Sequence, residues 1–331
     1  MTGPESRVRI VNRAGSPGSQ ITGLGHFRPD RVVTNDELSQ IMDTNDEWIR
    51  SRVGIAERRF AGVDDTVVSM GARAGAKALA EAGLQPSDID TVIVATCSLD
   101  SQVPHGATQI AAALGIHAPG SFDINAACAG FCYGIAAADQ AVRVGASQHV
   151  LVVGSEKLTD WTEPTDRATA IIFADGAGAA VVSASDEPGI GPVVWGSDET
   201  NLDAIRIETR QGHFIQEGQA VFRWATTAIG PVAVKAAAAA GVELADIDVL
   251  VTHQANLRII DSIAKKVIAA GARPHLKVGR DIVTTGNTSS ASIPIALDRM
   301  RAAGEVLSGE LVLAVAFGAG LTYASQVFRC P

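Results

Sequence analysis

The chain is written twice, and this internal repeat restricts the architectures open to it more than any other feature. Residues 83–94 read GLQPSDIDTVIV and residues 241–252 read GVELADIDVLVT, with Asp88 and Asp246 standing 158 positions apart. In each copy a glycine stops an Ala-rich helix, a turn bearing Asp follows, and a β-branched run opens a strand. Phe122-Asp123-Ile124 and Arg280-Asp281-Ile282 repeat at the same separation, each entering a turn of small residues and then a helix. A third pair, HVLVVG at 149–154 and LVLAVAFG at 311–318, supplies a late buried strand in each half at a slightly different separation. Solenoid units run only to ~20–50 residues, far below this period. The repeat instead predicts two similar α/β halves about a pseudo-twofold axis, each a mixed sheet covered by helices. The expected division is a flexible extension over 1–20, an N-terminal half over 21–190 and a C-terminal half over 191–331.

Bulk properties narrow the function. The 331 residues suffice for two cores. A net charge of −9 argues against general nucleic-acid binding, which needs a basic surface. No apolar run reaches the ~18 residues of a membrane span, and the first twenty residues lack the apolar stretch of a signal peptide. A cytoplasmic protein is expected. Its cysteines, Cys97, Cys128, Cys132 and Cys330, form no C-x-x-C pair and sit near no His at metal-ligand spacing. Reduced thiols and no metal site are therefore expected.

Four segments carry candidate chemistry. In FDINAACAGFCYGIAAADQAV (122–142) a strand end leads through small residues to Cys128, and a helical spacing of Phe131, Ile135 and Ala138 follows. Cys128 thus falls at a helix N-terminus, where backbone N–H groups favour a thiolate. A cysteine in an apolar run is more often plain core, and Cys132 is read that way. In VTHQANLRIIDSIAKK (251–266), His253 ends the second repeat's strand. In DIVTTGNTSSASIPIAL (281–297), the 158-residue separation matches Gly286 to Cys128, so Asn287 occupies the second copy of the nucleophile's turn. The pseudo-twofold axis then brings Cys128, His253 and Asn287 to one cleft. AFGAGLTYAS (316–325) supplies a glycine turn able to aim N–H groups at an oxyanion. DGAGAAVV (175–182) lacks the spacing of a phosphate loop, so Gly176 and Gly178 are read as sites of close helix–strand packing.

With these segments in view, the sequence resembles the β-ketoacyl-acyl-carrier-protein synthase III family, initiating ketosynthases of fatty-acid and some polyketide pathways. The likeness runs from about residue 21 and rests on DEWIRSRVGI (46–55), AACAGF (126–131), PTDRAT (164–169), FADGAGAA (173–180), HQANLRII (253–260) and GNTSSASIP (286–294). It implies a five-layered αβαβα thiolase fold, a homodimer and a Cys128–His253–Asn287 triad. No bound cofactor is implied, because acyl-CoA is a substrate. Cys128 would take the acyl group, and His253 and Asn287 would stabilise the enolate of a decarboxylating malonyl-acyl-carrier protein. Backbone N–H groups of Cys128 and Ala319 would hold the oxyanion, with Ala319 standing where the family pattern has Gly.

The resemblance carries further positions over singly. Trp48 and Arg167 would sandwich the CoA adenine, Thr44 and Arg52 would contact its nucleotide and phosphates, and Asn256 its pantetheine. Val53 replaces an expected Thr after Arg52. Phe173 would wall the acyl pocket and Val103 would gate it across the dimer, a small residue that leaves room for acyl groups longer or more branched than acetyl. Arg258, Lys265 and Lys266 would dock the acidic carrier protein. Two alternatives stand beside this reading: a pathway-specific acyltransferase or polyketide-priming relative, and a non-catalytic scaffold subunit that keeps the fold.

Overall fold

The structure, a computed structural model, describes residues 14–209 and 211–331. Its first half opens with strand β1 (Gly18–Phe27), then a short antiparallel pair, β2 (Arg31–Thr34) and β3 (Glu57–Phe60). There follow β4 (Thr91–Ala95), β5 (Gly120–Ile124), β6 (His149–Lys157) and β7 (Asp175–Ser185). The second half supplies β8 (Val194–Ser197), the small pair β9 (Ile205–Arg206) and β10 (Ile215–Gln216), then β11 (Val249–Thr252), β12 (Lys277–Val278), β13 (Leu311–Gly318) and β14 (Thr322–Arg329). The helices are α1 (Asn35–Ser39), α2 (Asp46–Val53), α3 (Val67–Ala82), α4 (Gly106–Leu114), α5 (Gly130–Arg143), α6 (Gly218–Ala239), α7 (Leu257–Ala269), α8 (Ile282–Thr285) and α9 (Ser292–Ala302).

The duplication holds strand for strand. One five-stranded sheet has the order β1-β7-β6-β4-β5, the other β8-β14-β13-β11-β12 when read in the same sense. In both, the first two pairings are antiparallel and the last two parallel. The repeated glycine stops are equally alike: Gly83 and Gly241 end their helices at φ 68° and 67°, a left-handed region that glycine enters without a Cβ penalty.

Three layers of helices enclose the two sheets, giving five layers in all. Met70, Ala74 and Ala78 of α3 and Ile110 of α4 pack on Leu151 and Val153 of the first sheet. Phe131 and Ile135 of α5 and Ile293 and Leu297 of α9 fill the space between sheets, against Val152, Val182, Val251 and Ala314. Ile229 and Ala233 of α6 and Ile263 and Val267 of α7 close the far face over Leu250 and Leu313. Strands β4, β6, β11 and β13 are therefore covered on both sides, which is why their sequences are continuous apolar runs. Each buried Ile or Leu contributes about 1.5–3 kcal/mol of transfer free energy.

Two expectations change. The first thirteen residues of the anticipated extension lie outside the described residues, but Gly18, Ser19 and Gln20 belong to β1 and pair with Ser185, Ala184 and Ser183. The correspondence between the two central turns also shifts. A 3-10 turn at Ala127–Ala129 precedes α5, and its counterpart at Ser289–Ala291 precedes α9. Cys128 thus matches Ser290, not Gly286. The second half inserts α8 after β12, and α9 and β13 then start 162 positions after α5 and β6, four more than the 158 of the earlier repeat. Ala127 (φ 45°) and Ser289 (φ 49°) hold the same left-handed conformation at equivalent places, which supports that register. Gly178 behaves as expected: a Cβ there would lie 2.7 Å from Pro294 Cγ, so β7 and α9 approach only because it is glycine.

Candidate active site

Cys128, His253 and Asn287 line one cavity of about 670 Å³ where the two halves meet. Cys128 sits on the 3-10 turn between β5 and α5, at the head of a 14-residue helix. Its other neighbour is the end of β13. A Cβ on Gly318 would fall 2.7 Å from the Cys128 nitrogen and 2.8 Å from its Cβ, so the 318–320 turn lies directly on the nucleophile. Ala319 also faces the cavity.

His253 follows β11 and is 2% exposed, its N–H bonded to the Val315 carbonyl at 2.8 Å and its ring edge-on to Phe317. Its Nδ1 lies 2.7 Å from Ser292 Oγ. Ser292 Oγ also accepts the Gln254 N–H at 3.2 Å; when its own proton goes to Nδ1, the ring carries its N–H on Nε2. Asn287 is fixed by the same logic. Its carboxamide oxygen accepts the Ser289 N–H at 2.8 Å, and its backbone bonds Ile172 and Ala174, which leaves the Nδ2 donors for the cavity. The His253 ring, the Asn287 amide and the Cys128 sulfur therefore line the same cavity.

The electrostatics run against one expectation. The helix terminus favours a Cys128 thiolate, yet burial pushes the thiol up to about 12, with the Ser289 hydroxyl opposing and the Glu156 carboxyl adding to the rise. Burial likewise pushes His253 down to about 3. Desolvation outweighs the helix dipole, and both shifts favour the neutral thiol and the neutral imidazole.

The cavity is polar at one end and apolar at the other. Arg52, Arg167, Arg223 and Arg258 are exposed at its rim. Arg167 lies over the Trp48 ring at 4.6 Å and Arg52 at 5.7 Å, while Arg258 covers Phe222 at 4.9 Å. Asn256, which caps α7, also lines the cavity. Leu158, Ile171, Ile172 and Phe173 form the buried wall, and Phe214 packs on Phe173 with ring centroids 4.9 Å apart. Thr44, Val103, Lys265 and Lys266 are not among the lining residues. Thr44 lies before α2 with its hydroxyl buried and unpartnered. Val103 is 86% exposed, and Lys266 reaches back to the Thr227 carbonyl on α6. Sequence reasoning passed over Ser292, Cys97 and Phe214. Ser292 stands within a quoted motif, but its link to His253 spans 39 positions and leaves no local trace.

Comparison with known proteins bears on the chain as a whole. The 3-oxoacyl-[acyl-carrier-protein] synthase III pattern matches residues 122–199, and the pattern of its C-terminal part matches 237–330. The chain is 49% identical over 317 residues to β-ketoacyl-[acyl-carrier-protein] synthase III 4 of Streptomyces coelicolor, covering 95% of this chain and 99% of that one. It is 46% identical to a mycobacterial β-ketoacyl-[acyl-carrier-protein] synthase III of Mycolicibacterium paratuberculosis, covering 98% and 99%. Among solved structures, the priming β-ketosynthase of the R1128 polyketide biosynthetic pathway superposes with a TM-score of 0.93 at 42% identity, covering 98% and 99%. The 3-oxoacyl-[acyl-carrier-protein] synthase III of Aquifex aeolicus gives 0.90 at 36%, covering 95% and 100%. Likeness of this extent, in sequence and in fold, makes the chain a member of the β-ketoacyl-acyl-carrier-protein synthase III family, condensing acyltransferases that initiate fatty-acid or polyketide chains.

Proposed function

We propose that the chain joins an acyl-CoA to malonyl-acyl-carrier protein through an acyl-enzyme on Cys128. The observation that carries this reading is the single cavity lined by Cys128, His253 and Asn287, in which the two nitrogen side chains are neutral donors. The Cys128 sulfur attacks the thioester carbon of acyl-CoA, the carbon–sulfur bond to CoA breaks, and the thiol proton ends on the departing sulfur. The tetrahedral oxyanion rests on the backbone N–H groups of Cys128 and Ala319.

Malonyl-carrier protein then loses CO2. The electron pair of the breaking carbon–carbon bond becomes an enolate, whose oxygen takes hydrogen bonds from His253 Nε2 and Asn287 Nδ2. A cationic imidazole is unnecessary, which agrees with the depressed His253. The enolate carbon attacks the acyl carbon, the bond to Cys128 breaks, and the departing sulfur takes a proton from solvent to return as the thiol.

In this reading Trp48 and Arg167 hold the adenine, Arg52 and Thr44 contact the nucleotide, and Asn256 contacts the pantetheine. Arg258, with Lys265 and Lys266 farther along α7, receives the acidic carrier protein. Phe173 walls the acyl end, and Val103 gates the partner's pocket in a homodimer. The β5 edge supports that assembly: among the described strands it pairs with β4 alone, and its Phe122 is 44% exposed. Sedimentation at twice 34.2 kDa is expected, and at the single-chain mass would refute it. The protein acts in the cytoplasm.

The experiment is CO2 release from malonyl-carrier protein together with acyl-enzyme formation. Cys128→Ala should abolish the adduct. His253→Ala and Asn287→Ala should keep it and lose about 10²–10³-fold in decarboxylative condensation, the loss associated with one oxyanion donor. Condensation at the wild-type rate in either variant would overturn its assigned role.

A further inference from the structure

Below the nucleophile lies a carboxyl-centred cluster for which the condensation steps have no use. Glu156, near the end of β6, is 0% exposed. The Ser98 hydroxyl reaches its carboxyl at 2.5 Å, the Thr96 hydroxyl at 3.1 Å and the Cys97 N–H at 3.1 Å. The Cys97 sulfur lies 3.5 Å from Oε1 and 3.7 Å from the Ser289 hydroxyl. Lys157, the residue after Glu156, sends its ammonium to Asp160 instead. Among the described residues, the titratable groups that face Glu156 are the Cys97 and Cys128 thiols, so none of them offers a cation to a charge there.

Counting protons assigns the state of this carboxyl. Ser290 Oγ lies 2.8 Å from the Ala95 carbonyl oxygen and 2.8 Å from Glu156 Oε1. Both are acceptors if Glu156 is ionised, and one hydroxyl proton serves one of them. Both contacts become hydrogen bonds when Oε1 carries a proton: the acid donates to Ser290, and Ser290 donates to Ala95. Burial pushes Glu156 up as well, the direction that favours the acid.

We propose that Glu156 is a positioning residue held as a neutral carboxylic acid, whose proton orients the Ser290 hydroxyl and, with Ser289, fixes the floor under Cys128 without placing a negative charge beside the reacting sulfur. Ser290 is the structural counterpart of Cys128 in the second half. One half's nucleophile position therefore supplies the hydroxyl that links β4 to the carboxyl under the other's. The inference rests on the reading of Cys128 as nucleophile for its functional part; the protonation state stands apart from it.

The test combines infrared spectroscopy with acyl-enzyme kinetics on the full chain. The difference spectrum of wild type minus Glu156→Gln at pH 7 should contain the carbonyl stretch of a protonated carboxylic acid. Glu156→Ala should slow acyl-enzyme formation by about tenfold or more, the effect of leaving buried hydroxyls unpaired. Glu156→Gln, a neutral isostere, should recover most of that loss, and Glu156→Asp should not. A carboxylate band in place of the acid band would overturn the proposal, as would Glu156→Ala acylating at the wild-type rate. Rescue by Asp rather than Gln would overturn it too. Should Glu156→Ala fail to fold, the spectrum decides alone. If wild type itself forms no adduct, the Cys128 reading fails while the spectrum still reports on Glu156.

Discussion

Replacing Gly318 with alanine tests how tightly the two halves clamp the nucleophile. The added Cβ would stand 2.7 Å from the Cys128 nitrogen, 2.8 Å from its Cβ and 3.1 Å from its Cα. Ordinary contact begins at 3.4 Å, so the Cys128 turn or the end of β13 must retreat by about 0.7 Å. Neither neighbour has slack. The turn is held by Ala127 in a left-handed conformation, and β13 is paired on both sides by β11 and β14. Overpacking of this kind costs about 1–3 kcal/mol of stability. Misplacement approaching 1 Å at a reacting atom costs on the order of 10²-fold in rate, or about 2.7 kcal/mol of barrier. The assay is the rate of the acyl-CoA mass adduct on intact protein, with thermal unfolding measured in parallel. Acylation within about twofold of wild type, at an unchanged melting temperature, would show that the 318–320 turn does not set the position of Cys128, and the clamp argument would fail.

Two further expectations follow from the hydrogen bonds and titration described above. Ser292→Ala removes the donor to His253 Nδ1, frees the ring to take the other tautomer, and should lower condensation by about 10–10²-fold while leaving acyl-enzyme formation within a few-fold; equal losses in both steps would contradict the assignment. Because burial holds Cys128 near 12 and His253 near 3, alkylation of the free enzyme by iodoacetamide should rise about tenfold per pH unit from pH 6 to 9, tracking the scarce thiolate. A plateau beginning below pH 7 would mean that an ion pair, not a neutral pair, is the resting state.

Much of this was legible in the sequence, and the failures have physical reasons. The two copies of the glycine-stopped helix and following strand are local patterns, so they predicted the paired sheets and located Cys128 at a helix start. The match of Gly286 to Cys128 failed because α8 occupies four extra positions that no periodicity marks. Ser292 and Glu156 went unseen because their partners are distant: Glu156 meets Ser290 across 134 positions, within a run otherwise typical of a buried strand. The helix terminus, visible in the sequence, favours a Cys128 thiolate, whereas the direction of the shift is decided by how much water the fold removes. Val103 does not reach its own chain's cavity, and a gating role depends entirely on a partner subunit.

The most direct test of the account is intact-mass spectrometry after incubation with a panel of straight and branched acyl-CoAs, followed by peptide mapping. One acyl group per chain is predicted, carried on the peptide that contains Cys128 and absent from Cys128→Ala. An adduct that maps to Cys97 or persists in Cys128→Ala would contradict it, as would no adduct with any member of the panel.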